Sequence, residues 1–380
     1  MSQRVYLDYN ATAPIRPEAS AAVLRALEIG GNPSSVHAAG RAARAIVEDA
    51  RDAVAALAGA RPSQVVFTSG GSEANTLALE SALRLGGSSR LIIGATEHAS
   101  IRETADAGPA AVDLWPVDRS GVADLAWLER RLDDWNTEDG SPYVALMLAN
   151  NETGVIQPVA EAAALVRAAG GWLHVDAVQA AGRIAIDMTA LVADTLALSS
   201  HKLGGPQGSG ALIVGPRVDI ARRSFGGGQE RGRRGGTENL PGIAGFGAAA
   251  RGAVIDDAGA AWRDATAHRL KAEAGVTVLG ENAPRLSNTL CFAAEGFSSE
   301  LQVMALDLAG MMISAGAACS SGKVKASHVV EAMGRPDLAG CAVRVSGGWA
   351  STEADWNRFT DAWLAGYARH ATRKPALVEA

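Results

Sequence analysis

The chain has 380 residues, long for one domain and short for three, and its 35 basic and 41 acidic side chains leave a net charge of −6, so no global field favours nucleic acid or an anionic membrane. An apolar fraction of 48% excludes disorder as the default. Three cysteines with no CxxC spacing exclude a disulfide framework and argue against a cysteine-based metal site, and the absence of an export signal or a long uncharged apolar run predicts a cytoplasmic protein. In chain order, Pro17 predicts the start of a helix that Gly30 and Gly31 close. Ile46, Val47, Ala50, Val54 and Leu57 fall on one face of a second, ending at Gly59. Short apolar runs follow at 65–68, 91–93, 112–115, 144–148, 172–175, 195–198 and 211–214, with helical patterns near 73–85, 125–135 and 159–169 between several of them. This alternation predicts an α/β fold whose large domain holds a mostly parallel sheet covered by helices on both faces. Ligands of such folds sit at the carboxyl ends of the strands. Beyond about residue 250 the pattern changes to helices at 299–309 and 352–370 with strands at 289–292 and 343–346, which predicts a second, smaller α+β domain.

The first chemistry-bearing segment is the run 65–68 followed by Ser69-Gly-Gly-Ser-Glu-Ala-Asn75 and a helix. A strand, a turn of small residues and a helix N-terminus offer backbone N–H groups and a positive dipole end to an anion. Ser72 can donate to it or simply cap the helix. Nucleotide fingerprints fail: Arg231 stands where the segment 226–231 needs its third glycine, and Gly316 and Gly322 are one residue too far apart for a P-loop. Asp176 follows a buried run, where a carboxylate is costly unless it meets a cation or caps a helix. Lys202 follows the next run and enters a Gly/Pro loop. A lysine can carry a Schiff base while an aspartate stabilises a pyridinium nitrogen, so the two form a coherent site at neighbouring strand ends.

With Asp176 and Ser199-x-His201-Lys202 in place, the chain resembles the fold-type I pyridoxal-phosphate enzymes of the class V aminotransferase branch, and within it the cysteine desulfurases of the NifS/IscS-like group. The resemblance extends over almost the whole chain: Tyr6-Leu-Asp-Tyr-Asn-Ala-Thr12, Asn32-Pro-Ser-Ser35, Phe67-Thr-Ser-Gly-Gly-Ser-Glu73, Glu97-His98, Asn150-Asn-Glu-Thr-Gly154, His174-Val-Asp176, Gly226 to Arg231, Arg234-Gly-Gly-Thr237, Ser314 to Gly322 and Val343-Arg-Val-Ser346. It implies pyridoxal 5′-phosphate as cofactor, with Lys202 as the lysine that carries it and later moves a proton, Asp176 on the pyridine nitrogen and His98 on the ring face. It implies that Ser72, Ser199 and His201 hold the phosphate, with Thr237 contributed by the partner subunit of a homodimer, and that Gly71 is also cofactor-binding. Gln179 and Asn151 are implied to bond the phenolic oxygen or the substrate, and Arg344, assisted by Asn32, the substrate carboxylate. Ala13 and Ser72 depart from the threonines frequent in the family; serine keeps the hydroxyl.

The resemblance also implies a large cofactor-binding domain over 15–254 and a small domain formed by 1–14 and 255–380, which carries the catalytic cysteine. Cys319 stands among Ala, Gly and Ser, without a core role, in a segment able to expose a thiol that attacks best as thiolate. It matches the residue that takes the substrate's sulfur, and its 25-residue distance from Arg344 resembles the group with a long cysteine loop. Cys291 lies in an apolar run and reads as packing; Cys341 has no matching motif. The arginines at 222, 223, 231, 233 and 234 are interleaved with glycine and have only Phe225 as an aromatic, which argues against nucleic acid; the resemblance around Thr237 implies that they lie at a dimer interface near the cofactor phosphate. The implied activity is conversion of L-cysteine to L-alanine with a persulfide on Cys319, passed to a sulfur-acceptor protein, an iron–sulfur scaffold or a sulfur carrier. The alternatives are a selenocysteine lyase or another class V aminotransferase, and, third, a non-catalytic scaffold, which the presence of Lys202, Asp176, Arg344 and Cys319 weakens. No metal and no membrane partner are expected.

Overall fold

The computed structural model describes residues 4–255, 257–316 and 326–372. After a short strand β1 (Val5–Tyr6) come helices α1 (Pro17–Ile29) and α2 (Ala38–Leu57), then β2 (Val65–Thr68), α3 (Gly71–Leu85), β3 (Arg90–Gly94), α4 (Ala99–Ala107) and β4 (Ala111–Trp115). The alternation continues with α5 (Leu125–Asp133), β5 (Tyr143–Ala145), α6 (Val159–Ala168), β6 (Trp172–Asp176), β7 (Thr195–Ser199) and β8 (Gly210–Val214). Helices α7 (Leu240–Gly252) and α8 (Ala258–Ala274) lead to β9 (Thr277–Val278), β10 (Thr289–Ala293), α9 (Ser299–Leu308), β11 (Met311–Met312), β12 (Ser314–Ala315), α10 (His328–Ala332), β13 (Ala342–Ser346) and α11 (Glu353–Ala371).

Strands β2 to β8 form a seven-stranded sheet in the order β2-β8-β7-β6-β5-β3-β4, all running the same way except β8, which is antiparallel to β2 and β7. Except at the edge strand β4, both faces are covered, which is why the strands read as continuous apolar runs rather than alternating ones. Ile92, Val144 and Leu196 join the core with Phe67, Trp115 and Phe246, while Leu91, Ile93 and Tyr143 point the other way into a cluster with Leu79 and Ile101. The α/β fold with a mostly parallel sheet is thus the one expected. The strand expected over 144–148 is shorter in its ladder, but Leu146 N and Leu148 N still donate to His174 O and Asp176 O, so the segment runs extended beside β6.

A second, antiparallel sheet, β12-β13-β10-β9, lies under α8, α9 and α11, with Phe292, Trp356, Phe359 and Trp363 at its core. Strand β1 pairs with β11, and Asp8 bridges to Ser346, so residues before 10 belong with this sheet although they open the chain. In its register Arg344 stands opposite Cys291 on one side and Ser314 on the other.

Candidate active site

Strands β6 and β7 are parallel neighbours, so the groups that follow them emerge side by side: Asp176 ends β6, and His201 and Lys202 lie in the helical turn after β7. The N-terminus of α3, with Gly71 and Ser72, opens at the same sheet edge after β2. Together they enclose a cavity of about 420 Å³ that also receives His98, Asn151, Gln179, Ser199 and Arg344, along with Asn10 and Asn75. The residues expected at 71, 72, 98, 151, 176, 179, 199, 201, 202 and 344 are brought into one space from six separate segments.

Asp176 is buried and held on both oxygens. Its Oδ1 accepts from Val178 N at 2.9 Å and its Oδ2 from Asn75 Nδ2 at 2.8 Å. Asn75 Oδ1 in turn bonds His174 Nε2 at 2.9 Å, and His174 Nδ1 bonds Thr195 Oγ1 at 2.9 Å. Burial pushes the His174 imidazole down to about 4, so the ring is neutral at neutral pH. With Asn75 donating to Asp176, His174 must donate from Nε2 and accept from the Thr195 hydroxyl. Behind this chain, Glu97 is wholly buried, and burial followed by the Asp176 charge raises its carboxyl well above the usual range. Glu97 Oε1 accepts from Met147 N.

On the other side of the cavity, Lys202 Nζ donates to Asn10 O at 2.6 Å and Ala11 O at 2.8 Å, and Gln179 Nε2 donates to the same Asn10 O at 3.0 Å. Arg183 fixes the Gln179 amide by donating to its Oε1 at 2.5 Å. His201 Nδ1 is 2.8 Å from Thr12 Oγ1, and burial with the neighbouring Lys202 charge lowers its ring to about 4. His98 caps α4 by accepting from Ser100 N at 3.1 Å. Arg344 donates from Nη1 to Asn151 O at 3.1 Å and from Nη2 to Asp8 Oδ1 at 2.7 Å, while its buried Nε has no partner among the described residues. A buried guanidinium N–H of this kind can donate to a bound anion.

The donor set fits pyridoxal phosphate. A buried carboxylate, a lysine, a carboxamide and a helix N-terminus flanked by serine and a neutral histidine line one cavity.

The sequence profile of the family described as Aminotransferase class-V matches residues 5–359, a span that includes all of these groups. The chain belongs to the class-V aminotransferase family. It is 42% identical over 373 residues to a cysteine desulfurase of Cereibacter sphaeroides, covering 94% of each chain, and 34% identical over 381 residues to the cysteine desulfurase IscS of Dictyoglomus turgidum, covering 95% and 94%. Among solved structures it superposes on a NifS-like protein from Rickettsia africae with a TM-score of 0.87 at 31% identity, over 96% of this chain and all (100%) of that one. SspA in complex with cysteine gives 0.78 at 27% identity, over 90% and 98%.

Two expected residues lie outside the cavity. Asn32 is exposed after α1, where its Oδ1 accepts from Ser34 N at 2.8 Å. Thr237 is exposed in the loop before α7. Cys319 lies outside the described residues. Cys291 is buried in β10, its thiol pushed up by burial, and Cys341 is half-buried. Asn10, Asn75, His174 and Asp8 stand within the motifs of the sequence but were given no role there, and Arg183 was not singled out. His174 carried a signal, because it stands two residues before Asp176 in one strand and so on the same face. Among the described residues no cluster of metal-ligating side chains occurs, and no helix is long and apolar enough to cross a membrane.

Proposed function

We propose that the protein is a homodimeric, pyridoxal-phosphate-dependent cysteine desulfurase acting in the cytoplasm, which converts L-cysteine to L-alanine and leaves the sulfur as a persulfide on Cys319. The convergence of Lys202, Asp176, Gln179 and Arg344 on one cavity, in a chain so similar to cysteine desulfurases, carries this reading. The separation of the seven-stranded sheet from the four-stranded one, with β1 paired to β11, supports the division into 15–254 and 1–14 with 255–380. An acceptor protein for iron–sulfur cluster assembly is the proposed recipient of the sulfur.

Bound pyridoxal phosphate supplies an electron sink for carbanion chemistry. Asp176, held by Asn75 and the Val178 N–H, is the group for its pyridine nitrogen, and His98 for its face. Ser72, Ser199, His201 and the first turn of α3 are the phosphate donors, with Gly71 and a partner-subunit Thr237 beside them; Gln179 and Asn151 serve the phenolic oxygen. Arg344 binds the substrate carboxylate through its unpaired Nε, with Asn32 as an outer contact. Lys202 Nζ removes the proton from the substrate Cα and returns one to the product. The Cys319 thiolate attacks the substrate sulfur, the Cβ–S bond breaks, and Cβ takes a proton. In balance, one thiol and L-cysteine give one persulfide and L-alanine, with no external oxidant.

The test is incubation of the cofactor-loaded protein with L-cysteine, followed by alanine assay and mass measurement of the Cys319 peptide. Alanine together with one added sulfur is the expected result. Cys319→Ser keeps the cofactor absorbance and loses alanine formation; full activity in that variant overturns the role of Cys319. Amino transfer to a keto acid, or turnover of selenocysteine alone, overturns the substrate assignment.

A further inference from the structure

The turn 150–154 presents Asn151 to the cavity, and the next side chain, Glu152, is used by neither the cavity nor the sheet. It is buried at 1% exposure, and its backbone is locked because Asn150 Oδ1 accepts from both Glu152 N and Thr153 N at 2.9 Å. Its carboxylate points to two places far apart in sequence. Ser327 Oγ donates to Glu152 Oε2 at 2.5 Å, and the same Ser327 oxygen accepts from Val330 N at 3.1 Å to start α10. Gly316 passes so close to Glu152 Oε2 that a Cβ there would collide with it. A buried, hydrogen-bonded carboxylate cannot swing aside, so residue 316 has to be glycine.

These two contacts are the ends of one segment. Gly316 follows β12, whose Ser314 stands opposite Arg344, and Ser327 begins the return of the chain to the fold. Gly316 and Ser327, the described residues on either side of the sequence segment that contains Cys319, thus meet at a single oxygen. Burial raises the Glu152 carboxyl above its ordinary value, with the Ser327 hydroxyl and the charges of Arg344 and His98 opposing it in part. Sulfur transfer to a tethered thiol depends on where the tether is rooted, because effective molarity is lost when reacting atoms are misplaced by about an ångström.

We propose that Glu152 is a positioning residue for sulfur transfer: it fixes both roots of the cysteine-bearing segment on the turn that also supplies Asn151. The inference rests on the reading of Cys319 as the sulfur acceptor. Glu152→Ala should bind pyridoxal phosphate as the wild type does and keep its KM for L-cysteine within about two-fold, yet form the Cys319 persulfide about ten-fold more slowly in a single turnover. Glu152→Gln keeps an oxygen that accepts from Ser327 and should restore most of that rate. Ser327→Ala removes the same contact from the other side, so it should match Glu152→Ala, and the double variant should be no worse than either.

Hydrogen exchange supplies a readout independent of turnover: amides at 315–316 and 327–330 should exchange faster in Glu152→Ala and Ser327→Ala and as in the wild type in Glu152→Gln. Unchanged exchange or an unchanged persulfide rate in Glu152→Ala overturns the proposal, as does a Glu152→Gln protein no better than Glu152→Ala. A wild-type protein that puts no sulfur on Cys319 overturns the underlying reading instead, and the exchange data tell the two failures apart.

Discussion

Arg344 is tied to Asp8 by an ion pair of 2.7 Å, formed between the last strand of the small sheet and the segment that opens the chain. Asp8 Oδ2 also accepts from Ser314 Oγ at 2.8 Å, so one carboxylate orients the guanidinium and holds β12 beside it. The Arg344 side chain is 3% exposed and that of Asp8 17%. Removing one partner of such a pair leaves a buried charge uncompensated, which costs several kcal/mol. Asp8→Ala should lose about 3 kcal/mol of stability in urea unfolding and raise the KM for L-cysteine more than it changes kcat, because Arg344 is no longer aimed.

The chain Thr195, His174, Asn75, Asp176 makes a second prediction. Asn75 links a buried neutral ring to the carboxylate assigned to the cofactor's pyridine nitrogen. Asn75→Leu leaves Asp176 Oδ2 and His174 Nε2 without partners, each worth about 1–3 kcal/mol when buried. Turnover should fall about 10- to 100-fold, with a changed cofactor absorption band as the check that the effect is at the ring. An unchanged spectrum and rate would place the relay outside the chemistry.

A third concerns the arginine- and glycine-rich loop before α7. Arg51 of α2 donates to both oxygens of Glu230 at 2.9 Å and to Val65 O at 2.9 Å, and Glu230 Oε2 accepts from Phe67 N at 2.9 Å. This buried pair fastens the loop to β2 and holds Glu230 and Arg231 at φ of 47° and 56°, left-handed values that β-carbon-bearing residues adopt at a cost. Glu230→Ala should destabilise by about 3–5 kcal/mol; Arg51→Met combined with Glu230→Leu should lose less than Glu230→Ala alone, measured by chemical denaturation.

Much of the large sheet was legible because its strands are buried on both faces and so read as unbroken apolar runs between helices. Asp176 and Lys202 were legible for the related reason that an ionisable residue directly after such a run stands at a strand end. Helix α7 was not, because its glycines look like breakers. In the fold they are contact points: a Cβ at Gly247 would lie 2.6 Å from Ala50 Cα, so glycine lets α7 press against α2. Nor does Asp8 betray itself, since nothing local says that the opening segment will lie beside a strand 336 residues later. Helix α4 escaped as well; its cap is the His98 ring, a residue type that seldom serves as one. What escapes a one-dimensional reading is long-range pairing, and at this site that pairing orients Arg344, Gln179 and Asp176.

The last prediction follows from the neutrality of His174. Its ordinary value of 6.5 falls to about 4 in the fold, with burial as the main cause and the Asp176 charge opposing it. Above pH 6.5 the ring is neutral in both folded and unfolded chains and carries no pH dependence. As the pH drops below 6.5 the unfolded chain takes up the proton first, so the folded state loses stability until the pH nears 4, where the folded ring is protonated as well. The loss approaches about 1.4 kcal/mol per pH unit and about 3 kcal/mol over the window. His174→Gln should be less stable than the wild type at pH 7, having lost part of the bond chain to Asn75 and Thr195. Its stability should nevertheless fall more gently between pH 6.5 and 4, by about 1 kcal/mol per pH unit. Urea unfolding of both proteins at three pH values in that window measures the difference. Parallel slopes would mean that His174 is not held neutral, and the tautomer that lets Asn75 donate to Asp176 would then have to be reassigned.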